Sequence, residues 1–204
     1  MTLVLGVDIG TTTITCLAMD TSDGDVVVRQ TIANDARITA GDQAEGASEW
    51  DAEKIIERTC VCLSRVVEQI RSSHDIVGIG VTGQQHGVVM VDESLNPVTA
   101  FISWQDRRAE TVVPGLDLNY VEHAQALLGT DAQRRAGCRL SAGYMGTTLF
   151  WLQQHKRIQE RAKACFIMDL FASRLTGNSP VSDPSSAASS GLLNVELEIG
   201  RAHV

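Results

Sequence analysis

Hydrophobic and polar positions alternate with a period of two from the start of the chain. Leu3, Leu5, Val7 and Ile9 fall on one side of an extended segment, and Val4, Gly6, Asp8 and Gly10 on the other, which predicts a first strand over Leu3–Ile9. A second strand is expected over Thr13–Met19. After an Asp23-Gly24 turn, a third is expected over Val26–Ala33, giving two hairpins in a row and an antiparallel start. The polar stretch 34–47 reads as an exposed loop. Ser48 then reads as the N-cap of a long helix from about Glu49 to Arg71. Ile56, Cys60, Leu63, Val67 and Ile70, spaced four, three, four and three, would form its buried stripe.

Ile76–Val81 is a continuous apolar run, the pattern of a strand covered on both faces. Further strands are expected over Val88–Val91 and Val98–Trp104. Helical periodicity takes over in the second half, at Tyr120–Leu128, Met145–His155 and Met168–Leu175, with Gly177 as a C-cap. By composition alone the Ser- and Ala-rich stretch 180–190 is a flexible linker. The pattern predicts an α/β domain with a mixed sheet, followed by a mostly helical region.

A length of 204 residues, with 44% hydrophobic and 21% charged, suits one domain or a lobe of a larger one. The net charge of -8 repels phosphate backbones and anionic lipid, so neither nucleic acid nor membrane is expected as a partner. A small nucleotide stays admissible, because backbone N–H groups and a metal ion can hold its phosphates. The first ten residues lack a basic n-region and carry Asp8, and no apolar run approaches the roughly 18 residues of a membrane span. The five cysteines (Cys16, Cys60, Cys62, Cys138, Cys165) show no zinc spacing and read as buried free thiols, so a cytoplasmic location is expected.

Three stretches carry candidate chemistry. In Asp8-Ile9-Gly10-Thr11-Thr12-Thr13, a carboxylate stands between Gly6 and Gly10 on its own face, which would leave room for a bulky partner. The turn that follows offers hydroxyls and backbone N–H groups to phosphate oxygens, and Asp8 could hold a hydrated magnesium. The plain structural alternative is hairpin punctuation followed by strand-forming threonines. In Gly83-Gln84-Gln85-His86-Gly87, polar side chains sit at a strand end, where they suit a hydroxyl-rich ligand; the alternative is a structural histidine in a glycine turn. In Trp104-Gln105-Asp106-Arg107-Arg108, an indole face could pack on sugar C–H groups while Asp106 bonds hydroxyls. Equally, Asp106 could cap a helix and Trp104 lie in the core. Gly78-Ile79-Gly80-Val81-Thr82-Gly83 matches the dinucleotide pattern, but its glycines lie within the strand and no helix opens after the last, so a Rossmann site is rejected.

In this order the three stretches resemble the FGGY carbohydrate kinase family of the actin-like ATPase superfamily. The pattern is closest to its xylulokinases and sedoheptulokinases, whose Gly-Gln-Met-His-Gly resembles residues 83–87 here. The resemblance runs over most of the chain. It implies an actin-like ATPase (ribonuclease H-like) α/β domain with a mixed sheet and a helical sugar-side region, truncated relative to the whole enzyme. It further implies ATP-dependent phosphorylation of a ketose, with ATP and Mg2+ as cofactors, in a protein that forms a homodimer when intact. Asp8 would organise magnesium through water, and Gly10, Thr11, Thr12 and Thr13 would lie beside the nucleotide phosphates. Gln84, Gln85, His86, Trp104 and Asp106 would face the sugar. By the same resemblance, the Ser/Ala stretch after Asp183 becomes ordered.

Gln85 departs from the family's Met, which leaves the sugar open. The family's general base lies in a later Gly-rich motif, and Gly41-Asp42-Gln43 mimics that motif in the wrong place. The last residues, 198–204, resemble the in-frame translation of a sequencing adapter. Residues 1–197 are therefore expected to be an incomplete N-terminal domain, inactive alone, with 198–204 a non-native tail. Two alternatives remain at this point: a chaperone-like or regulatory ATPase of the same superfamily, and a non-catalytic sugar-binding lobe.

Overall fold

The computed structural model describes residues 1–39, 45–70, 74–136 and 138–193. The order is β1 (Thr2–Ile9), β2 (Thr13–Asp20), β3 (Val26–Ala33), β4 (Glu49–Trp50), α1 (Ala52–Gln69), β5 (Asp75–Gly83), β6 (Val89–Val91) and β7 (Phe101–Ile102). A short 3-10 turn (Arg108–Glu110) leads to α2 (Tyr120–Ala136), α3 (Met145–Gln154), β8 (Lys163–Cys165), α4 (Ile167–Thr176) and α5 (Pro184–Ser189).

The main sheet has the order β3-β2-β1-β5. β1 is antiparallel to β2 and parallel to β5, so the sheet is mixed, as the two opening hairpins and the later strand predict. Leu3, Leu5, Val7 and Ile9 of β1 and Ile14, Cys16 and Ala18 of β2 are buried, and α1 packs across β2 and β3. Each such aliphatic side chain contributes about 1.5–3 kcal/mol of burial. A second core joins the helical half: Met90, Ile102, Tyr120, Met145, Trp151 and Phe166. The two cores meet at β6, where Val89 and Val91 belong to the first and Met90, with Val88 just before the strand, to the second.

Four expectations change. Ser48 does not cap α1. Glu49 and Trp50 pair with β7, and Asp51 is the cap, accepting from the Lys54 N–H at 3.0 Å. The buried face of α1 is Ala52, Ile55, Ile56, Thr59, Cys62 and Val66. Of the expected stripe, Ile56 is buried and Leu63 and Ile70 pack partly buried against the core, while Cys60 is exposed and Val67 is 42% exposed. Thr59 can face inward because its hydroxyl donates to the Ile55 carbonyl, 2.8 Å away. β5 is not covered on both faces. It is the sheet's edge, with Ile76, Val77 and Ile79 exposed at 41%, 63% and 44%, and β6 is the strand that fills the sandwiched role. Stretch 180–190, a linker by composition, contains α5, capped by Asp183, which accepts from Ser185 and Ser186 N–H groups at 2.8 and 3.1 Å. Hydrogen bonds from Ser186 and Ser185 hold the Asp183 carboxyl well below its usual range, at about 2.

Gly78, Gly80 and Gly83 lie inside or at the end of β5, and a turn follows, so no dinucleotide fold forms there. Cys16, Cys62 and Cys165 are buried free thiols, while Cys60 is exposed and Cys138 half-buried. Burial pushes the Cys165 thiol up to about 12, which leaves it inert. Asp42 and the tail 198–204 lie outside the described residues. No described helix is long and apolar enough to cross a membrane.

Candidate active site

Because β1 and β5 run parallel, their C-terminal ends leave the same edge of the sheet, with Asp8 opposite Thr82 and Ile9 opposite Gly83. Open α/β sheets bind ligands at such ends. Here they border a cleft of about 390 Å³ lined by Asp8, Gly10, Thr11, Gly83, Gln84, Gln85, His86 and Trp104. The three stretches singled out in the sequence therefore meet in one place. Hydrogen bonds tie them together: the Trp104 indole N–H donates to Thr11 Oγ1 at 2.9 Å, and Thr11 Oγ1 donates to Gln84 Oε1 at 3.1 Å.

Asp8 is exposed at the mouth of this cleft, as alternation along β1 requires. The glycines beside it have another purpose than leaving room. A Cβ on Gly6 would press on Leu17 at 3.2 Å, and one on Gly10 would lie 2.7 Å from the Thr13 carbonyl oxygen. The turn after Gly10 is held by Asn34, whose Nδ2 donates to the Gly10 carbonyl and whose N–H donates to the Thr12 carbonyl, both at 2.9 Å. Thr11 spends its single hydroxyl proton on Gln84, so toward a phosphate it has only its backbone N–H to offer. Thr12 and Thr13 are exposed and are not among the residues that line the cleft.

Gln84 is buried, with Nε2 left without a partner, whereas Gln85 is exposed and free to meet a ligand. Trp104 is 40% exposed and offers a ring face to the cleft; it is not a core residue. Asp106, expected to face the sugar, is turned away from the cleft. It is 1% exposed, Oδ1 accepts from Arg108 Nε at 2.9 Å, and Oδ2 accepts from the Ser48 N–H at 2.8 Å. Arg108 in turn pairs with Glu49 at 2.6 Å. Burial among its own partners makes Asp106 a brace beneath Trp104, with no oxygen facing the cleft.

His86 and Trp104 also border a second cleft of about 840 Å³, completed by Arg107, Glu110, Asn119, Gln125, Arg139 and Tyr144 among others. Sequence reasoning missed Tyr144, whose ring lies on His86 with centroids 4.0 Å apart, and Asn34. Gly143 brings this wall in: its φ is +81, and a Cβ there would lie 2.0 Å from the Trp104 carbonyl oxygen. Gly143→Ala is accordingly expected to cost about 2–4 kcal/mol through left-handed strain and displaced backbone, read as a lower urea midpoint. An unshifted midpoint would mean that the loop does not need this close approach.

The donor set fits a magnesium-bound triphosphate. Among the described residues no cluster of three or more His, Cys, Asp or Glu side chains gathers as a protein cage. A single exposed carboxylate at a strand end suits Mg2+, which keeps most of its waters and takes one or two protein oxygens. The buried, unpartnered Gln84 Nε2 lies beside the same turn.

Residues 3–198 match the family described as FGGY family of carbohydrate kinases, N-terminal domain. The xylulose kinase of Staphylococcus xylosus is 29% identical over 200 residues, covering 97% of this chain and 38% of that protein. Human sedoheptulokinase is 24% identical over 222 residues, covering 96% of this chain and 43% of that protein. Among solved structures, Plasmodium falciparum glycerol kinase with ADP superposes with a TM-score of 0.81 at 20% identity, covering 98% of this chain and 39% of that one. The chain thus spans roughly two fifths of the length of these relatives.

Proposed function

This chain belongs to the FGGY family of carbohydrate kinases, with the actin-like ATPase fold of that family, and on that premise we propose that the intact protein transfers the terminal phosphoryl group of ATP to a hydroxyl of a ketose such as xylulose or sedoheptulose. One observation carries the reading: Asp8, Gln84, His86 and Trp104 border a single cleft, in which Thr11 ties Trp104 to Gln84. Relatives named xylulose kinase and sedoheptulokinase support the choice of a ketose.

In this proposal the Trp104 ring packs on the C–H face of the sugar, its plane fixed by the bond to Thr11. Gln85 and His86 bond sugar hydroxyls and so orient the one that attacks, which is where most of the rate enhancement of such a transfer arises. Asp8 would hold Mg2+ through water, and the ion when bound would neutralise charge on the triphosphate. Gly10 and Thr11 approach the phosphates through their backbone. Asp8 is the one carboxylate lining the 390 Å³ cleft among the described residues. By the family resemblance, the base that takes the sugar hydroxyl proton is assigned to a later Gly-rich motif of the intact protein, beyond residues 1–197. Residues 198–204 are read as a non-native tail, which the genomic sequence past Leu197 would test, and the location as cytoplasmic.

The test is ADP release by the intact protein with xylulose, sedoheptulose, glycerol and gluconate in turn. The expected result is ketose-dependent turnover well above the others. Hydrolysis indifferent to every sugar and stimulated by unfolded peptide would move the protein to the chaperone-like class. Because Gln85 presents an exposed amide, Gln85→Met removes about one sugar hydrogen bond. It is expected to change the ratio of kcat/KM values between two ketoses by about tenfold. Equal ratios before and after the exchange would take Gln85 out of the sugar contact.

A further inference from the structure

His86 is held more firmly than contact with a sugar alone requires. Its φ is 64, a left-handed backbone that non-glycine residues seldom adopt. Its imidazole lies flat on Tyr144, the two planes 8° apart. Its Nδ1 is 3.0 Å from the carbonyl oxygen of Ser189, the last residue of α5. A carbonyl oxygen only accepts, so Nδ1 must carry a proton, and in the neutral ring Nε2 is left with its lone pair. Both ends of α5 are fixed. Asp183 accepts from Ser185 and Ser186 at the start, and at the end the Ser190 carbonyl accepts at 2.9 Å from the N–H of Gly146 on α3, two residues after Tyr144, which caps that helix. Tyr144 and α5 are thus braced against each other around the ring.

We propose that Tyr144 and α5 are positioning elements that lock His86 in the Nδ1-protonated tautomer, so that Nε2 meets the ligand as a hydrogen-bond acceptor and selects a substrate hydroxyl that donates. The consequence for substrate rests on the ketose kinase reading; the state of the ring does not. Asp183 acts at a distance, by capping the helix whose last carbonyl holds the imidazole. A ring free to swap tautomers would present an N–H to the same hydroxyl half of the time or more, and the hydroxyl would have to turn round to accept.

The ring is read directly by multiple-bond proton–nitrogen NMR of the full-length protein with 15N-labelled histidine, His86 being assigned by its loss in His86→Gln. The expected spectrum shows a protonated Nδ1 and a bare Nε2 without substrate. Asp183→Ala should give a mixed or Nε2-protonated ring and raise the ketose KM about tenfold, with kcat and the ATP KM within about twofold; Asp183→Asn, which still caps, should restore both. Tyr144→Ala should mix the tautomers and Tyr144→Phe keep them, which carries the test if Asp183→Ala does not fold. An Nε2-protonated His86 in the parent protein, or an unchanged ring in both alanine variants, overturns the proposal. The spectrum needs no turnover. A bare Nε2 in a protein inactive on every ketose would uphold the clamp and overturn the ketose reading, whereas an Nε2-protonated ring in an active ketose kinase would overturn the clamp alone.

Discussion

Asp8→Ala in the intact protein is expected to lower kcat for ketose phosphorylation by at least about 10²–10³-fold, the usual loss when one charged stabiliser of a transferring group is removed. The same change should leave stability within about 0.5 kcal/mol. The second half follows from the first strand's geometry. Asp8 stands exposed between Thr15 and Thr82 in the sheet register, and its side chain makes no hydrogen bond or ion pair among the described residues. Nothing in the fold depends on it, so a carboxylate kept in that place is available for a ligand. Asp8→Asn keeps the shape and removes the charge, and should lose nearly as much activity. Steady-state kcat with saturating ATP and ketose, beside a urea melt of the same sample, checks both halves. Undiminished turnover in either variant would take Asp8 out of the mechanism, and a large drop in stability would make it a structural residue.

Asp106→Ala should behave in the opposite way, as a stability change of about 3–5 kcal/mol. Asp106 and the Arg108 side chain are each 1% exposed, and Asp106 spends both oxygens on Arg108 and the Ser48 N–H. Truncation leaves a buried guanidinium with Glu49 as its remaining carboxylate and frees the Ser48 N–H in a dry place, and neither group can recruit water there. The loss is read as a lowered urea midpoint. Activity should fall only as far as the folded fraction falls, together with whatever Trp104 loses when its brace loosens. A protein as stable as the parent that no longer binds ketose would return Asp106 to the sugar.

The contrast between these two carboxylates marks how far the sequence could be read. Periodicity along Leu3–Ile9 was enough to place Asp8 outward, because one strand with one buried face leaves no choice of register. At Asp106 the local pattern allowed either a helix cap or a ligand. The choice was made by Ser48 and Glu49, 58 and 59 residues away from their partners Asp106 and Arg108. The same distance problem hid Asn34 behind the phosphate-side turn and the Ser189 carbonyl behind His86, contacts spanning 24 and 103 residues. The buried face of α1 is centred beside the expected one, with Ile56 shared and Cys60 and Val67 left out, since a threonine bonded to its own helix counts as apolar in packing and as polar in a sequence pattern. β5 shows the limit for strands: a continuous apolar run says that a strand avoids charge, and it cannot say which of two such runs, β5 or β6, is covered on both sides. Polar residues between glycines at strand exits remained legible throughout, because they break the pattern where a parallel sheet brings its ends together.

The central claim is that one bound ketose touches Trp104 and His86 while the triphosphate lies beside Asp8. A crystal structure of the intact protein with xylulose and a non-hydrolysable ATP analogue measures this directly. The account predicts the sugar packed on the Trp104 indole within hydrogen-bond reach of His86 Nε2 and Gln85, with a metal-bound phosphate facing the Asp8 carboxylate. A ketose seated elsewhere, with Trp104 and His86 still open to water and Asp8 away from the nucleotide, would contradict it.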